Sequence, residues 1–253
     1  MPEGKKAKGA IMTEAIYVLG DIHGEMAMLE TALAWIAADG GDDAPLISLG
    51  DLVDRGPDSR AVIETLMQGQ AAGRDWTVLK GNHDRMFQRY LEDGRIDDPR
   101  VVSRVDWLNP RLGGQITLAS YGVTVGGDRD PAEIWQEARA AVPPAHLAFL
   151  QSMPLHHRRD DKLFVHAGIA PGVPLADQTE DDLLWIRGPF LEYTDPHPWL
   201  VVHGHTALDA PQHYGNRVNL DSGAGYGRPL TVAVFEGSRV WTLAPDGRHP
   251  LVP

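Results

Sequence analysis

Cysteine is absent from the 253 residues, which removes disulfide staples, thiolate zinc sites and any mechanism built on a cysteine nucleophile. Positive charge is scarce beside negative. With 23 Lys and Arg against 35 Asp and Glu, the formal net charge is -12, so no broad surface for nucleic acid is expected and any phosphate contact must be local. Long hydrophobic runs are missing too: no apolar stretch reaches the roughly 20 residues that span a bilayer, and membrane association is not expected. Neither a repeat period nor a low-complexity tract is present. Residues 1–11 carry Lys5, Lys6 and Lys8 with no apolar run behind them, which fits neither a signal peptide nor an anchor. They read as a loose tail, native or not, ahead of one folded domain over 12–253. The composition favours a cytoplasmic setting, and nothing in it points to an obligate partner.

What is present is ample for a core, at 43% hydrophobic residues. A strand–loop–helix pattern occurs three times: Ile16–Leu19 before Met26, Leu29, Leu33 and Ile36 at helical spacing; Leu46–Leu49 before Ile63, Leu66 and Met67; Trp76–Leu79 before Met86, Phe87, Tyr90 and Leu91. Asp58 or Ser59 is the expected N-cap of the second helix. Strands alternating with helices predict an α/β sheet. From about 94 to 159 the prolines and glycines leave only short helical pieces, read as an inserted lobe near the site. Five further apolar runs, at 163–165, 200–202, 218–220, 230–235 and 240–243, predict a second set of strands.

Ionisable residues cluster where those strands end. GDIHG holds Asp21 and His23, GDLVDRG holds Asp51 and Asp54, and GNHD holds Asn82, His83 and Asp84. Loops at the carboxyl ends of neighbouring parallel strands converge on one crevice, so residues a full repeat apart can meet there. His166 in FVHAG and His203 and His205 in VVHGHT obey the same logic. The glycines let the chain turn sharply and approach an ion closely. Carboxylate, imidazole and amide donors without thiolate suit manganese, iron or zinc in an open site. There are too many donors for one ion, and a shared carboxylate such as Asp51 could bridge two cations about 3.5–4 Å apart.

The ordered set GDIHG, GDLVDRG, GNHD, HAG and GHT resembles the signature of the calcineurin-like metallophosphoesterases, in particular the phosphoprotein phosphatase branch with its small bacterial and lambda-phage-type enzymes. The resemblance runs from Gly20 to Thr206. It implies two packed mixed β-sheets flanked by helices. It further implies a first divalent metal on Asp21, His23 and Asp51 and a second on Asp51, Asn82, His166 and His205, with manganese foremost and iron, zinc, nickel, cobalt or magnesium as alternatives. His83 would be the general acid, oriented by Asp54. Arg55, Asn82 and Arg187 would contact the phosphate, which a metal-bridging hydroxide attacks in line. His203 departs from the G-H-x-H ending of other branches and is expected to pack or support. Glu180, Asp181 and Asp182 read as solvated or capping acids without a partner, and Gly223, Gly225 and Gly227 as turn residues.

The activity so implied is phosphomonoester hydrolysis, on protein serine or threonine or on a small phosphoester. GNHD in place of GNHE leans toward a rival, hydrolysis of dinucleoside polyphosphates such as diadenosine tetraphosphate, whereas Asp54 favours the monoesterase. A scaffold that has lost catalysis is disfavoured because every ligand position is filled.

Overall fold

The computed structural model describes residues 14–253, so the expected tail at 1–11 lies outside the described residues. The chain runs β1 (Ile16–Leu19), α1 (Met26–Gly40), β2 (Leu46–Ser48), α2 (Ser59–Ala71), β3 (Trp76–Val78) and α3 (Asn82–Asp93). Three short helices follow, α4 (Gly114–Ser120), α5 (Pro131–Ala141) and α6 (Pro144–Ser152), before β4 (His156–Arg159) and β5 (Lys162–Val165). Then come α7 (Glu180–Trp185), α8 (Gly188–Leu191), β6 (Leu200–His203), β7 (Gln212–His213), β8 (Arg217–Asn219), β9 (Val232–Glu236), β10 (Arg239–Ala244) and β11 (Gly247–Pro250).

Two mixed sheets result. The first has the order β11-β10-β9-β1-β2-β3, the second β4-β5-β6-β8-β7. Strands β1, β2 and β3 are mutually parallel, as are β5, β6 and β8, and antiparallel strands complete each sheet. Burial on both faces explains why these strands read as unbroken apolar runs. In β1, Ile16 and Val18 point between the sheets while Tyr17 and Leu19 point at the helices. In β5, Phe164 joins the inter-sheet core and Leu163 and Val165 pack on α7 and α8. Phe164 meets Phe235 edge-on at 5.9 Å, stitching the two sheets together. The layers are therefore helix, sheet, sheet, helix, as the motif resemblance implies.

The stretch expected as an inserted lobe shares its core with α1–α3: Trp107, Leu118, Tyr121, Ile134 and Phe149 are buried in the same cluster as Leu29, Leu66 and Phe87. Trp107 stacks on Phe87 at 5.6 Å and leans on Tyr90 at 5.0 Å. The strand β4 lies inside the 94–159 stretch yet pairs with β5 in the second sheet. Its HHRR sequence lacks the apolar run that marks a strand buried on both sides, since β4 is a half-buried edge. No helix among the described residues is long and apolar enough to cross a membrane.

Candidate metal centre

Every expected ligand stands on a loop leaving the carboxyl end of a parallel strand. Asp21 and His23 follow β1, Asp51 follows β2, Asn82 opens α3 after β3, His166 follows β5 and His205 follows β6. All six are buried. Of the seven non-glycine residues with left-handed backbone among the described residues, five are His23, Asp51, Asp54, Arg55 and His205. Such conformations cost on the order of 1 kcal/mol each and persist where surrounding structure over-determines them. At Gly204 a Cβ would strike the Asp21 carboxylate, so the close approach of these two loops requires glycine.

The hydrogen bonds fix the imidazole tautomers. His23 Nδ1 donates to the Val53 carbonyl and His166 Nδ1 to the Leu49 carbonyl, both at 2.9 Å. Each Nε2 is then an unprotonated acceptor turned into the site, the arrangement metal-ligating histidines use, and at His23 the Arg55 guanidinium is hydrogen-bonded to it. Asp51 divides its oxygens between them: Oδ2 is 3.6 Å from His23 Nε2, and Oδ1 is 3.5 Å from His166 Nε2. The Asn82 Oδ1 lies 2.8 Å from His166 Nε2 and 2.7 Å from His205 Nδ1. Between His166 Nε2 and Asn82 Oδ1 there is no proton to share, so two acceptors face each other at contact distance. A cation resolves that conflict, and the donor set fits one. Two groups of converging donor atoms, His23 with Asp51 and His83 and Asp51 with His166 and His205, share Asp51. Asp21 sits beside them, accepting the His205 N–H at 3.0 Å. Burial, reinforced by the nearby Asp221 and Asp51 charges, pushes the Asp21 carboxyl well above its ordinary range. Burial likewise holds His23 and His205 down, keeping both neutral and able to ligate.

Asp54 and His83 form the second constellation. His83 Nδ1 is 2.6 Å from Asp54 Oδ2, and the same carboxylate receives the Trp107 indole N–H at 2.8 Å and the Thr117 hydroxyl at 2.6 Å. Burial pushes Asp54 up to about 7 against the pull of those donors, and burial pushes His83 down to about 3. The Arg55 guanidinium lies on His23 Nε2 and 3.1 Å from His83 Nε2. Arg187 donates to the Thr206 hydroxyl at 3.1 Å and to the His205 carbonyl at 3.2 Å. Neither arginine pairs with a carboxylate among the described residues, a notable economy in so acidic a chain. Both line one cleft of about 970 Å³ together with Asp51, Asn82, His83 and His205.

Asp84 is a brace rather than a metal donor: its carboxylate accepts the Leu52 N–H at 2.9 Å and the Gly81 N–H at 2.8 Å, tying the start of α3 to the loop after β2. Asp58 is the N-cap residue of α2 but makes no capping bond, and the Ser59 hydroxyl serves the Asp54 N–H instead. His203 ends β6 with its ring edge-on to Phe190 at 5.0 Å, away from the ligands, because the left-handed turn at His205 redirects the chain. The acids read as solvated or capping do stand in the first turn of α7, where the Asp182 N–H donates to the Thr179 cap, and Asp181 in addition binds the buried Arg85 at 2.6 Å. Arg85 also bonds Asp98 at 3.0 Å, joining α3 to the segment ahead of Trp107.

Trp107, Thr117 and Asp221 were not singled out from the sequence. For Asp221 a signal existed. It follows β8 as Asp21 follows β1, and the strand-end rule reaches it; it is buried and lines the cleft. Trp107 and Thr117 carried no local signal, since they meet Asp54 across more than fifty residues of chain.

A sheet sandwich whose parallel strands deliver carboxylate, imidazole and amide donors to one cleft offers a site that could hold divalent cations. The chain belongs to the calcineurin-like phosphoesterase family, whose model matches residues 15–233. It is 30% identical over 234 residues to serine/threonine-protein phosphatase 1 of Salmonella typhimurium, covering 86% of this chain and 90% of that one. It is 25% identical over 258 residues to the asymmetrical bis(5'-nucleosyl)-tetraphosphatase of Halalkalibacterium halodurans, covering 93% and 95% respectively. Its fold is similar to the crystal structure of a cold-active protein-tyrosine phosphatase from a psychrophilic Shewanella, with a TM-score of 0.62 at 16% identity over 95% of this chain and 81% of that one. As a family member it is a metallophosphoesterase hydrolase.

Proposed function

We propose that this chain hydrolyses phosphate monoesters, with protein serine and threonine phosphates as its substrates and two divalent cations, manganese foremost, as its cofactor. The observation that carries the reading is the oriented dyad of Asp54 and His83 beside two unpaired arginines. Asp21, His23 and Asp51 would hold one cation and Asp51, Asn82, His166 and His205 the other. When bound, the pair supplies an activated water and neutralises charge gathering on the phosphoryl oxygens.

The protein's own residues do the rest. Arg55 and Arg187 grip the phosphate oxygens through their planar forks, joined by the Asn82 amide, and set the ester for in-line displacement. The bond from phosphorus to the ester oxygen breaks as the bond to the incoming oxygen forms. Once the phosphate dianion enters and draws Arg55 onto its own oxygens, its charge favours a proton on His83 Nε2; His83 gives that proton to the departing alkoxide, while Asp54 holds Nδ1 and stabilises the imidazolium that donates it. An alcohol and inorganic phosphate leave. Burial of Trp107 and Thr117 around Asp54 keeps its carboxylate fixed and dry, which strengthens the pair.

A second reading has specific support. The matched bis(5'-nucleosyl)-tetraphosphatase covers nearly the whole chain, and Asp84 stands where the phosphoprotein phosphatase branch carries Glu. Hydrolysis of diadenosine tetraphosphate is therefore the alternative. The deciding assay supplies manganese to metal-stripped protein and compares a phosphoserine peptide with diadenosine tetraphosphate. The monoesterase reading expects kcat/KM to be higher for the peptide, and a reversed order overturns it.

A further inference from the structure

Two exposed apolar side chains line the cleft, Val102 and Tyr226, the latter 60% accessible. A single exposed aromatic ring is ordinary on a protein surface, but this one stands at the mouth of the site. The local structure shows that the ring is placed rather than left over. Tyr226 closes a tight helical turn, Ala224–Tyr226, bounded by Gly223 and Gly227 in the left-handed region. The Gly223 N–H donates to Asp221 Oδ1 at 2.9 Å, anchoring the turn to a buried carboxylate of the site. A Cβ on Gly225 would fall 2.9 Å from both Arg55 Cδ and His23 Cβ. The turn's backbone is thus pressed onto the first metal ligand and onto the arginine assigned to the phosphate. The Tyr226 ring centroid lies 4.7 Å from the Arg55 Cζ, and Arg228, which pairs with Asp209, flanks the same ring at 5.9 Å.

From this geometry we infer that Tyr226 is a specificity residue that stacks a planar aromatic ring in the leaving group of the substrate. The inference rests on the phosphoester reading above and widens it: serine and threonine esters are held through the phosphate alone, and an ester with an aromatic leaving group gains one further contact. Arg55, which would hold the phosphate, lies against the tyrosine ring, so an aromatic ring attached through the ester oxygen would enter beside Tyr226, where aromatic pairs attract at centroid distances of about 4.5–7 Å. A serine ester offers a single methylene at the same place and adds no ring contact to the tyrosine. Two sources supply such a ring: an aryl ester such as phosphotyrosine, or the base of a nucleotide substrate. Both use the same chemistry at Tyr226. The competing role, holding Arg55 by cation–π contact alone, predicts equal losses for every phosphate ester, because Arg55 touches the part they have in common.

The test uses the manganese-loaded protein with Tyr226→Leu and Tyr226→Phe, folding being checked by melting temperature. Three substrates are compared: phosphotyrosine and phosphoserine peptides of one sequence, and diadenosine tetraphosphate. Tyr226→Leu should lower the kcat/KM ratio of phosphotyrosine to phosphoserine about 2- to 10-fold, the scale of one aromatic pair, and Tyr226→Phe should restore it. A drop confined to diadenosine tetraphosphate relative to phosphoserine assigns the ring to a nucleobase. Equal falls for all three, or ratios unmoved, overturn the inference. Failure of the unaltered protein to turn over any of them would sink the phosphoester reading instead. Calorimetric affinities for phenylphosphonate and methylphosphonate then still decide the stacking role: an affinity ratio that Tyr226→Leu leaves unchanged refutes it.

Discussion

His83 is held by a carboxylate at one ring nitrogen and turned toward the cleft, with Arg55 on it, at the other. Asp54 takes Nδ1, Trp107 and Thr117 take what remains of the Asp54 carboxylate, and Nε2 faces the cleft beside Arg55. Replacing His83 with Ala should therefore leave the manganese content of the protein unchanged while kcat for a phosphoserine peptide falls about 10² to 10⁴-fold, the usual scale for general acid catalysis. Trp107→Phe keeps the ring packing on Phe87 but removes one donor from a buried carboxylate. It should cost about 1–3 kcal/mol of stability in urea unfolding and lower kcat without moving KM, because the lost bond orients the acid and does not touch substrate. Asp51→Asn should act differently from both. Its two oxygens face different histidines, 3.6 Å and 3.5 Å away, so the predicted effect is reduced occupancy of both cations by elemental analysis.

At the scale of elements, helix ends and strand ends are tied by single polar contacts that sequence periodicity does not reveal. Tyr17 on β1 donates its hydroxyl to Asp39 at the end of α1 at 2.5 Å and receives Arg248 from β11 at 3.2 Å. Burial, followed by the Asp39 hydrogen bond and charge, pushes the Tyr17 phenol up to about 12 from an ordinary value of 10. The folded state thus favours the neutral phenol. The stability it contributes is fully present below pH 10 and is lost as pH rises from there through about 12. Urea midpoints measured over that window should fall less steeply for Tyr17→Phe than for the unaltered protein. The reading of these elements from the sequence succeeded where burial on two faces left unbroken apolar runs, as in β1, β2, β5 and β6. It passed over β4, an edge strand spelled HHRR, whose partner β5 rather than its own side chains makes it a strand. The partners of Glu180 and Asp181 were hidden for a similar reason: Arg85 and Arg89 lie on α3, and no local pattern announces that α7 packs against it.

The whole molecule gathers acidic groups where water cannot reach them. Asp21, Asp51 and Asp221 are buried around one cleft, and cations that bind only the folded chain should stabilise it by mass action. With manganese at about 100 times its dissociation constant, the gain is about 2.7 kcal/mol, which for a chain of this size corresponds to a rise of about 5–10 °C in Tm. Differential scanning fluorimetry with and without a chelator tests this, and an unchanged Tm would contradict the assignment of the cleft as a cation site.

The residues able to do this chemistry were determined by the sequence: acids, histidines and glycines recur at the ends of apolar runs one repeat apart, because a parallel strand followed by a tight turn is written in local composition. The same local rule extends to Asp221. Tertiary structure alone decided which of those groups face one another. It set the tautomers of His23 and His166 through backbone carbonyls of the loop after β2, turned Asp84 into a brace and His203 away from the ligands, and brought Trp107 and Thr117 to Asp54 and Tyr226 to the cleft. Hydrophobic periodicity encodes which face of an element is buried; contacts between distant segments depend on how the packed layers meet, and no stretch of chain carries that information by itself.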